Sequence, residues 1–474
     1  ILMDFTGPVI AFVFILIVVY LLLKKYNPHA VLLFSGLSMM IISWLLGYDL
    51  NSLLSLESLE KKMKIAFKST SGENNSINNF LDFIKYITFL FQVKHAKVSL
   101  LIMTIGGFVA YINKIGASTS LVNLVTKPLN IFKKNPNIAA VLVIPIGQLL
   151  FICIPSAAGL GLLLMASVFP VLVNLGVSRL SAVSVITACT ALGMGPASAM
   201  SNKAAEFAYG DSEMIITYFT DQIQLVLPIS LVFIIVYYFT NKYFDSKETK
   251  DEVVIKKENS ILNNTPILYS LIPILPIILL VIFSKIMNSS IILDTSTAMF
   301  ISVFIAILFE LFFKRNLKDV LSSLNVFWSG MGNIFKTVVT LIIVADIFAS
   351  GLLSLNFINA LIHISENLGL VAIGIGIVMV VLIFLSAMIM GSGNAAFFSF
   401  GPLAPEITQR FNLQALEFIL PMNLAASMGR TVSPVSGVLI ATAEIAQVSS
   451  MQIVKRNLIP MLAGLIVMII YHFI

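Results

Sequence analysis

Long apolar runs separated by short polar connections dominate this chain. Val9–Leu23, Leu262–Ile282, Thr297–Phe313 and Asn457–Ile474 are mostly near the ~20 residues that cross a bilayer. The pattern predicts membrane segments at 8–23, 30–46, 98–113, 138–154 with 162–175, 180–200, 223–240, 264–284, 293–313, 334–353, 369–390 with 395–404, 416–440 and 456–474. Four of these segments break in the middle. Pro155-Ser156-Ala157-Ala158-Gly159 and Gly391-Ser392-Gly393-Asn394 interrupt two of them, and Gly193–Ser198 and Gly429–Pro434 interrupt two more. The spacing from Ser156 to Gly391 is 235 positions, and so is that from Ser198 to Ser433. Interrupted apolar segments at matching places in two halves point to the binding site of a secondary carrier.

The pieces flanking Ser156 and Ser392 read as short for full crossings, so each pair is expected to form a re-entrant hairpin. Lysines and arginines test this count through the positive-inside rule. With Lys24 and Lys25 cytoplasmic, the clusters at 114–134, 179, 242–257, 314–318 and 455–456 fall on the same side only if both hairpins return to their side of entry. Each half then has five crossings and one hairpin, and the odd number inverts the second half. The predicted fold is an all-α polytopic inverted repeat, both termini outside. Residues 1–240 form the first repeat, with a surface linker at 51–97, a hairpin at 138–175 and a broken helix at 180–200. Residues 241–263 form a polar cytoplasmic linker. Residues 264–474 form the second repeat, with a hairpin at 369–404 and a broken helix at 416–440. The 51–97 segment strains the charge rule, since it lies outside yet holds seven lysines. Leu53–Lys68 within it is amphipathic and suits the membrane surface.

Composition agrees: 58% of the 474 residues are hydrophobic and 11% charged, against about 25% charged in soluble proteins. The net charge of +6 sits in loops, with no basic stripe for nucleic acid. Val9–Leu23 runs into Lys24-Lys25 with no small-residue cleavage site, so it reads as a membrane helix rather than a signal peptide. Cys153 and Cys189 lie in apolar context and read as small core residues.

The chemistry concentrates at the breaks. Non-helical backbone in hydrocarbon leaves polar groups unpaired at several kcal/mol each, unless protein, ion or solute satisfies them. Ser156, Ala157, Gly159, Ser198, Ser392, Gly393, Asn394, Thr431, Ser433 and Ser436 are therefore candidate substrate ligands. Positions near Ser156, Ser198, Asn394 and Ser433 are candidate sites for sodium as a coupling ion. Small residues at the breaks also suit close helix packing, the reading preferred for Gly369–Gly376. Arg430 is the central candidate, a charge inside the otherwise apolar Pro421–Ala441, where ionisable groups mark function by default. Its planar fork suits a carboxylate. Glu444 and Asp346 are its candidate internal partners. Lys203 and Glu206 have the spacing of a helical ion pair. His29, His95, His363 and His472 all fall at predicted loops or helix ends. With no buried histidine, no His-Glu-x-x-His and no nucleotide-binding Gly-x-x-x-x-Gly-Lys, an enzyme is not expected.

Ser156–Ala166 (SAAGLGLLLMA), Gly391–Phe400 (GSGNAAFFSF) and Gly429–Gly437 (GRTVSPVSG) resemble the corresponding stretches of the DcuC family of anaerobic C4-dicarboxylate carriers. The similarity in order and spacing covers nearly the whole chain. The resemblance implies a bacterial inner-membrane carrier of succinate, fumarate, malate or similar dianions, a homodimer with scaffold and transport parts, and an elevator-like motion. It also implies that Arg430, Thr431 and Ser433 act on a carboxylate and that substrate, often with sodium, lies between hairpin tips and broken helices. Three positions depart from the family pattern: Ala158 in place of threonine, Gly195–Ser201 (GPASAMS) in place of a Thr-Ser-Gly-Asp-like stretch, and Asp346 at a position expected to be small. They leave open another carboxylate, such as an acidic amino-acid derivative or a monocarboxylate; an ion channel is the alternative of another class.

Overall fold

The computed structural model describes residues 6–24, 26–48, 80–128, 135–247, 266–283, 287, 291, 293–360, 363 and 372–473. The expectations for Leu53–Lys68 and for most of the 241–263 linker lie outside these residues. No strand occurs among the described residues, and nine helical elements there are long and apolar enough to cross a membrane. The chain is an all-α polytopic membrane protein.

The helices are α1 (Thr6–Leu23), α2 (Pro28–Leu45), α3 (Phe80–Phe89), α4 (Ala96–Lys114), α5 (Ala117–Thr126), α6 (Pro136–Cys153), α7 (Ala157–Asn174), α8 (Arg179–Ala188), α9 (Ala199–Tyr209) and α10 (Ile215–Lys247). After the linker come a 3₁₀ stretch (Ile267–Ile274) leading into α11 (Leu275–Ile282), then α12 (Thr295–Lys314), α13 (Leu317–Ile334) and α14 (Thr340–Ser354). The chain ends with α15 (Ala372–Met390), α16 (Gly393–Phe400), α17 (Ala404–Arg410), α18 (Leu416–Thr431), α19 (Gly437–Ala446) and α20 (Ser450–Phe473). Single π turns, Leu90–Lys94 and Phe335–Val339, precede α4 and α14.

Local chemistry sets several boundaries. Ser156, Ser178, Ser198 and Ser392 each adopt extended backbone and accept an N–H from three residues on, capping α7, α8, α9 and α16. Such a cap satisfies one of the orphan donors of a helix start and contributes about 1 kcal/mol. Both arms of the first interrupted stretch, α6 and α7, are 18 residues long. The expectation that each was too short to cross is therefore corrected. Pro145 and Pro170 lie inside these helices rather than ending them. In the second stretch, α15 has 19 residues and α16 only 8.

The helices pack in two sets. In one, α2 lies along α14, α4 along α13 and α12, and α5 against the 3₁₀ stretch. Glycines allow the closest approaches. A Cβ on Gly36 would lie 2.7 Å from the Ile347 backbone, and one on Gly351 would lie 2.8 Å from Gly36 O. In the other set, α18 is wrapped by α15, α16, α9 and α20, while α8 rests on α6, α7, α19 and α20. The two sets meet where α16 touches α14, α15 touches α1, α9 touches α4 and α7 touches α5.

Candidate functional site

Arg430 ends the second set's central helix, and its surroundings define the site. It lies in the last turn of α18, beside the break at 432–436. Its Nη2 donates to Thr190 O at 2.6 Å and approaches Thr190 Oγ1 at 3.4 Å. Thr190 lies in the turn just past the end of α8, and this bond gives its carbonyl a partner. A cation at the negative end of a helix dipole is also favoured. This contact uses one nitrogen of the fork. Nη1 and Nε make no hydrogen bond, and no carboxylate pairs with the group, among the described residues.

Neither candidate internal partner is there. Asp346 is bound to Lys94 and His95, and Glu444 is exposed on α19. The alternative of an internal ion pair for Arg430 therefore has no support among the described residues. A second correction concerns His95, read as a loop histidine: it is 1% exposed and held on both ring nitrogens. Lys203 and Glu206 do form the expected ion pair, at 2.8 Å, with Lys203 buried.

The two breaks converge on α18. Gly193, with φ 56°, places its α-carbon so close to Ser427 that a Cβ would lie 2.2 Å from Ser427 Oγ. Gly391, with φ 70°, turns the second tip against Val435 O and Ser436 N, which a Cβ would meet at 2.9 and 3.1 Å. Gly393 rests on Ala426 O in the same way. Positive φ and backbone approach together require glycine at Gly391. Tip two, break two, α18 and break one thus pack against one another, with Arg430 in the last turn of α18.

The other candidates divide by what their polar atoms already do. Ser156, Ser198 and Ser392 accept backbone N–H groups as helix caps. Ser433 Oγ accepts Val435 N at 3.4 Å, and Thr431 Oγ1 donates to Ser427 O at 3.0 Å. Ser436 starts α19 without such a bond, and its buried hydroxyl has no partner. The Asn394 side chain makes no hydrogen bond among the described residues. Ser156 and Ala157 are not hydrogen-bonded to the Arg430 region; the turn there faces α4, with Asn113 Nδ2 3.8 Å from a Cβ on Gly159. The first tip is connected to the site through Gly161, which packs on Val438 of α19.

Several residues escaped the sequence reading. Thr190 and Ser427 face the site directly. Ser427 Oγ and Asn423 Nδ2 are buried and unpartnered. Gln222 of α10 accepts Gly195 N at 3.1 Å and donates to Asn423 Oδ1 at 3.1 Å. Asn457 donates to Thr187 Oγ1 and to Thr431 O, each at 3.0 Å, tying the ends of α8 and α18 together. A polar residue inside an apolar helix was the available signal for Asn423, Ser427 and Asn457. A buried amide or hydroxyl left unpaired costs roughly 1–3 kcal/mol. A cation with unused donors on the same helix as the unpartnered Asn423 and Ser427, followed by Ser436 in the next break, is an arrangement suited to a polar anionic solute.

A helical membrane protein with broken helices around an uncompensated arginine belongs to the class of solute carriers rather than enzymes. Comparison with known proteins specifies the family. The DcuC family profile, described as C4-dicarboxylate anaerobic carrier, matches residues 7–474. The chain is 34% identical over 458 residues to a probable anaerobic C4-dicarboxylate transporter DcuC of Vibrio cholerae, covering 95% of this chain and 94% of that one. It is 32% identical over 453 residues to the anaerobic C4-dicarboxylate transporter DcuC of Escherichia coli K12, covering 95% and 92%. The solved structure of Neisseria gonorrhoeae MtrF superposes with a TM-score of 0.48 at 13% identity over 95% of this chain and 96% of that one. The chain belongs to the DcuC family.

Proposed function

We propose that this protein is a secondary active carrier of C4-dicarboxylates such as succinate, fumarate and malate. One observation carries the reading: the free edge of the Arg430 guanidinium, without a carboxylate partner among the described residues, at the meeting of two helix breaks. A substrate carboxylate fits that edge as a forked, charge-assisted pair. Ser433, Ser436, Ser392, Gly393 and Asn394 supply donors for the rest of the dianion, and Thr431, whose hydroxyl donates to Ser427 O, would serve only once that bond is released. Ser156, Ala157, Gly159 and Ser198 belong to the other hairpin and the other break of the same packing set and would complete the site from there. Sodium, where it serves as coupling ion, would use oxygens of Ser156, Ser198, Asn394 and Ser433. A hydroxyl accepts two hydrogen bonds or ligands, so each capping serine keeps one lone pair for it.

The same proposal includes an inverted repeat of 1–240 and 264–474, an elevator-like movement of the α18-centred set against the α2–α14 set, and a homodimer. It places the protein in a bacterial inner membrane with both termini outside. The two packing sets and the matched spacing of the breaks support it.

The test is labelled succinate uptake into proteoliposomes holding purified protein. Saturation and acceleration by unlabelled succinate or fumarate on the far side are expected of a carrier. Linear, unsaturable flux without trans-acceleration would indicate a channel instead. Imposed sodium, proton and counter-substrate gradients, applied one at a time, identify the coupling.

A further inference from the structure

Five ionisable side chains make a continuous line outside the Arg430 site. Lys94 Nζ lies 3.1 Å from Asp346 Oδ1 and 2.8 Å from Oδ2. His95 Nε2 lies 2.5 Å from Asp346 Oδ2. His95 Nδ1 lies 3.0 Å from Lys203 Nζ, and Lys203 Nζ lies 2.8 Å from Glu206 Oε1. The middle is sealed and the ends are not. Asp346, His95 and Lys203 are 6%, 1% and 1% exposed in their side chains, against 27% for Lys94 and 23% for Glu206.

Hydrogen-bond chemistry assigns the protons. A carboxylate only accepts, so Nε2 of His95 carries a hydrogen toward Asp346. An ammonium only donates, so Nδ1 is bare toward Lys203. His95 is therefore neutral in this arrangement, and the four formal charges of Lys94, Asp346, Lys203 and Glu206 cancel. An ion pair alone would hold these helices together. The histidine adds the one side chain whose ordinary range puts a charge change near neutral pH, and burial and the Lys203 ammonium beside it push that change to the acid side.

The line also crosses between the two packing sets. Lys94 and His95 lead into α4, Asp346 lies in α14, and Lys203 and Glu206 lie in α9. α9 starts from the first break at Ser198 and packs on α18, the helix of Arg430. Around the line, Tyr86 of α3 bonds Ser350 at 2.8 Å and acts on Lys94, and Lys94 also acts on Glu206 and on Glu406 of α17. The Lys203 ammonium also lies 4.7 Å from the Phe207 ring centroid.

We infer that His95 is a proton-binding site whose occupancy releases α9 from α4 and α14, so that transport is coupled to protons. The step is simple in its atoms. A proton from water binds Nδ1, and the Lys203 N–H···Nδ1 hydrogen bond breaks. Lys203 keeps its three protons and turns wholly to Glu206, while Asp346 keeps its bond to Nε2–H. The line gains one positive charge, and imidazolium and ammonium now repel across the contact between the two sets. The inference rests on the carrier reading proposed above.

The experiment uses whole protein in proteoliposomes with labelled succinate. Counterflow at equal pH on both sides tests the carrier reading, and uptake driven by an imposed pH gradient tests the proton site. Wild type is expected to show counterflow and a several-fold stimulation by the gradient. His95→Gln is expected to keep counterflow within about twofold and lose the stimulation. Glu206→Gln, a change at a partly exposed position, is expected to move the pH midpoint of wild-type behaviour about one unit toward acid, the order of a lost neighbouring charge. Counterflow in wild type with no response to the pH gradient would overturn the proton inference and leave the carrier reading standing. Full stimulation in His95→Gln, or an unmoved midpoint in Glu206→Gln, would overturn it too. Absence of wild-type counterflow would remove the carrier reading and this inference with it.

Discussion

At the scale of single residues, the site consists of groups that the fold leaves unsatisfied. A charged side chain at membrane depth costs about 2.5–3.5 kcal/mol on insertion scales, yet among the described residues Arg430 answers only Thr190. Ser427 and Ser436 bury hydroxyls that have no partner among those residues. Removing a buried unpaired hydroxyl relieves a desolvation penalty of roughly 1–3 kcal/mol. Ser427→Ala and Ser436→Ala should therefore melt at the same temperature as wild type or higher, while the KM for succinate rises several-fold. Melting curves and uptake kinetics on the same preparations check both parts. A packing role would reverse the pattern, with stability lost and KM kept. Gly429 makes a different prediction: its Cβ would lie 2.2 Å from Phe384 O. Gly429→Ala should push α18 from α15, destabilise the protein by about 1–3 kcal/mol, and misplace the adjacent Arg430. Arg430, Thr431, Ser433 and Ser436 were legible because polar residues inside an apolar run stand out. Thr190 was not, because its role depends on an arginine 240 positions away.

At the scale of elements, hydrophobic periodicity and punctuation carried most of the information. Apolar runs of membrane length and Gly/Ser/Pro clusters mark helices and their interruptions without reference to partners. Helix lengths were less legible. The interruption at Pro155–Gly159 suggested short pieces, but α6 and α7 run for 18 residues each, and neighbouring helices and small adjustments can satisfy the groups that Pro145 and Pro170 free inside them. Pairings between helices were the least legible, since they arise from contacts hundreds of positions apart. Asp346 has a partner 252 positions away in Lys94, and Gly36 fits against Ile347. The α2–α14 contact makes its own prediction. Gly351→Val would drive a branched side chain into Gly36 O and Met39, 2.8 and 3.0 Å from its Cβ. Lost thermal stability, with any folded fraction keeping the wild-type KM, is the expected result, since this seam lies away from Arg430. A raised KM in well-folded protein would place the seam in the binding process instead.

For the whole molecule, the elevator-like movement proposed above would run along the seam between the two packing sets. Glycine-mediated contacts such as Gly36–Ile347 and Gly429–Phe384 lie within a set. Between sets lie the α16–α14, α15–α1 and α7–α5 contacts and the charged line through His95. A seam held by polar, titratable groups can open and reclose at lower cost than a close-packed apolar one, whose contacts are lost together. All the residues around Arg430 belong to the α18-centred set, so the site can travel with it. The central claim is that the open edge of Arg430 receives a substrate carboxylate. Counterflow kinetics of labelled succinate in proteoliposomes, wild type beside Arg430→Gln and Arg430→Lys, test it most directly. The account predicts a loss in kcat/KM of about 100-fold for Arg430→Gln, as expected for removing a charge-assisted forked pair. It predicts partial recovery in Arg430→Lys, whose point charge lacks the fork, with melting temperatures close to wild type in both. Folded Arg430→Gln protein with unchanged counterflow and an unchanged KM would contradict it.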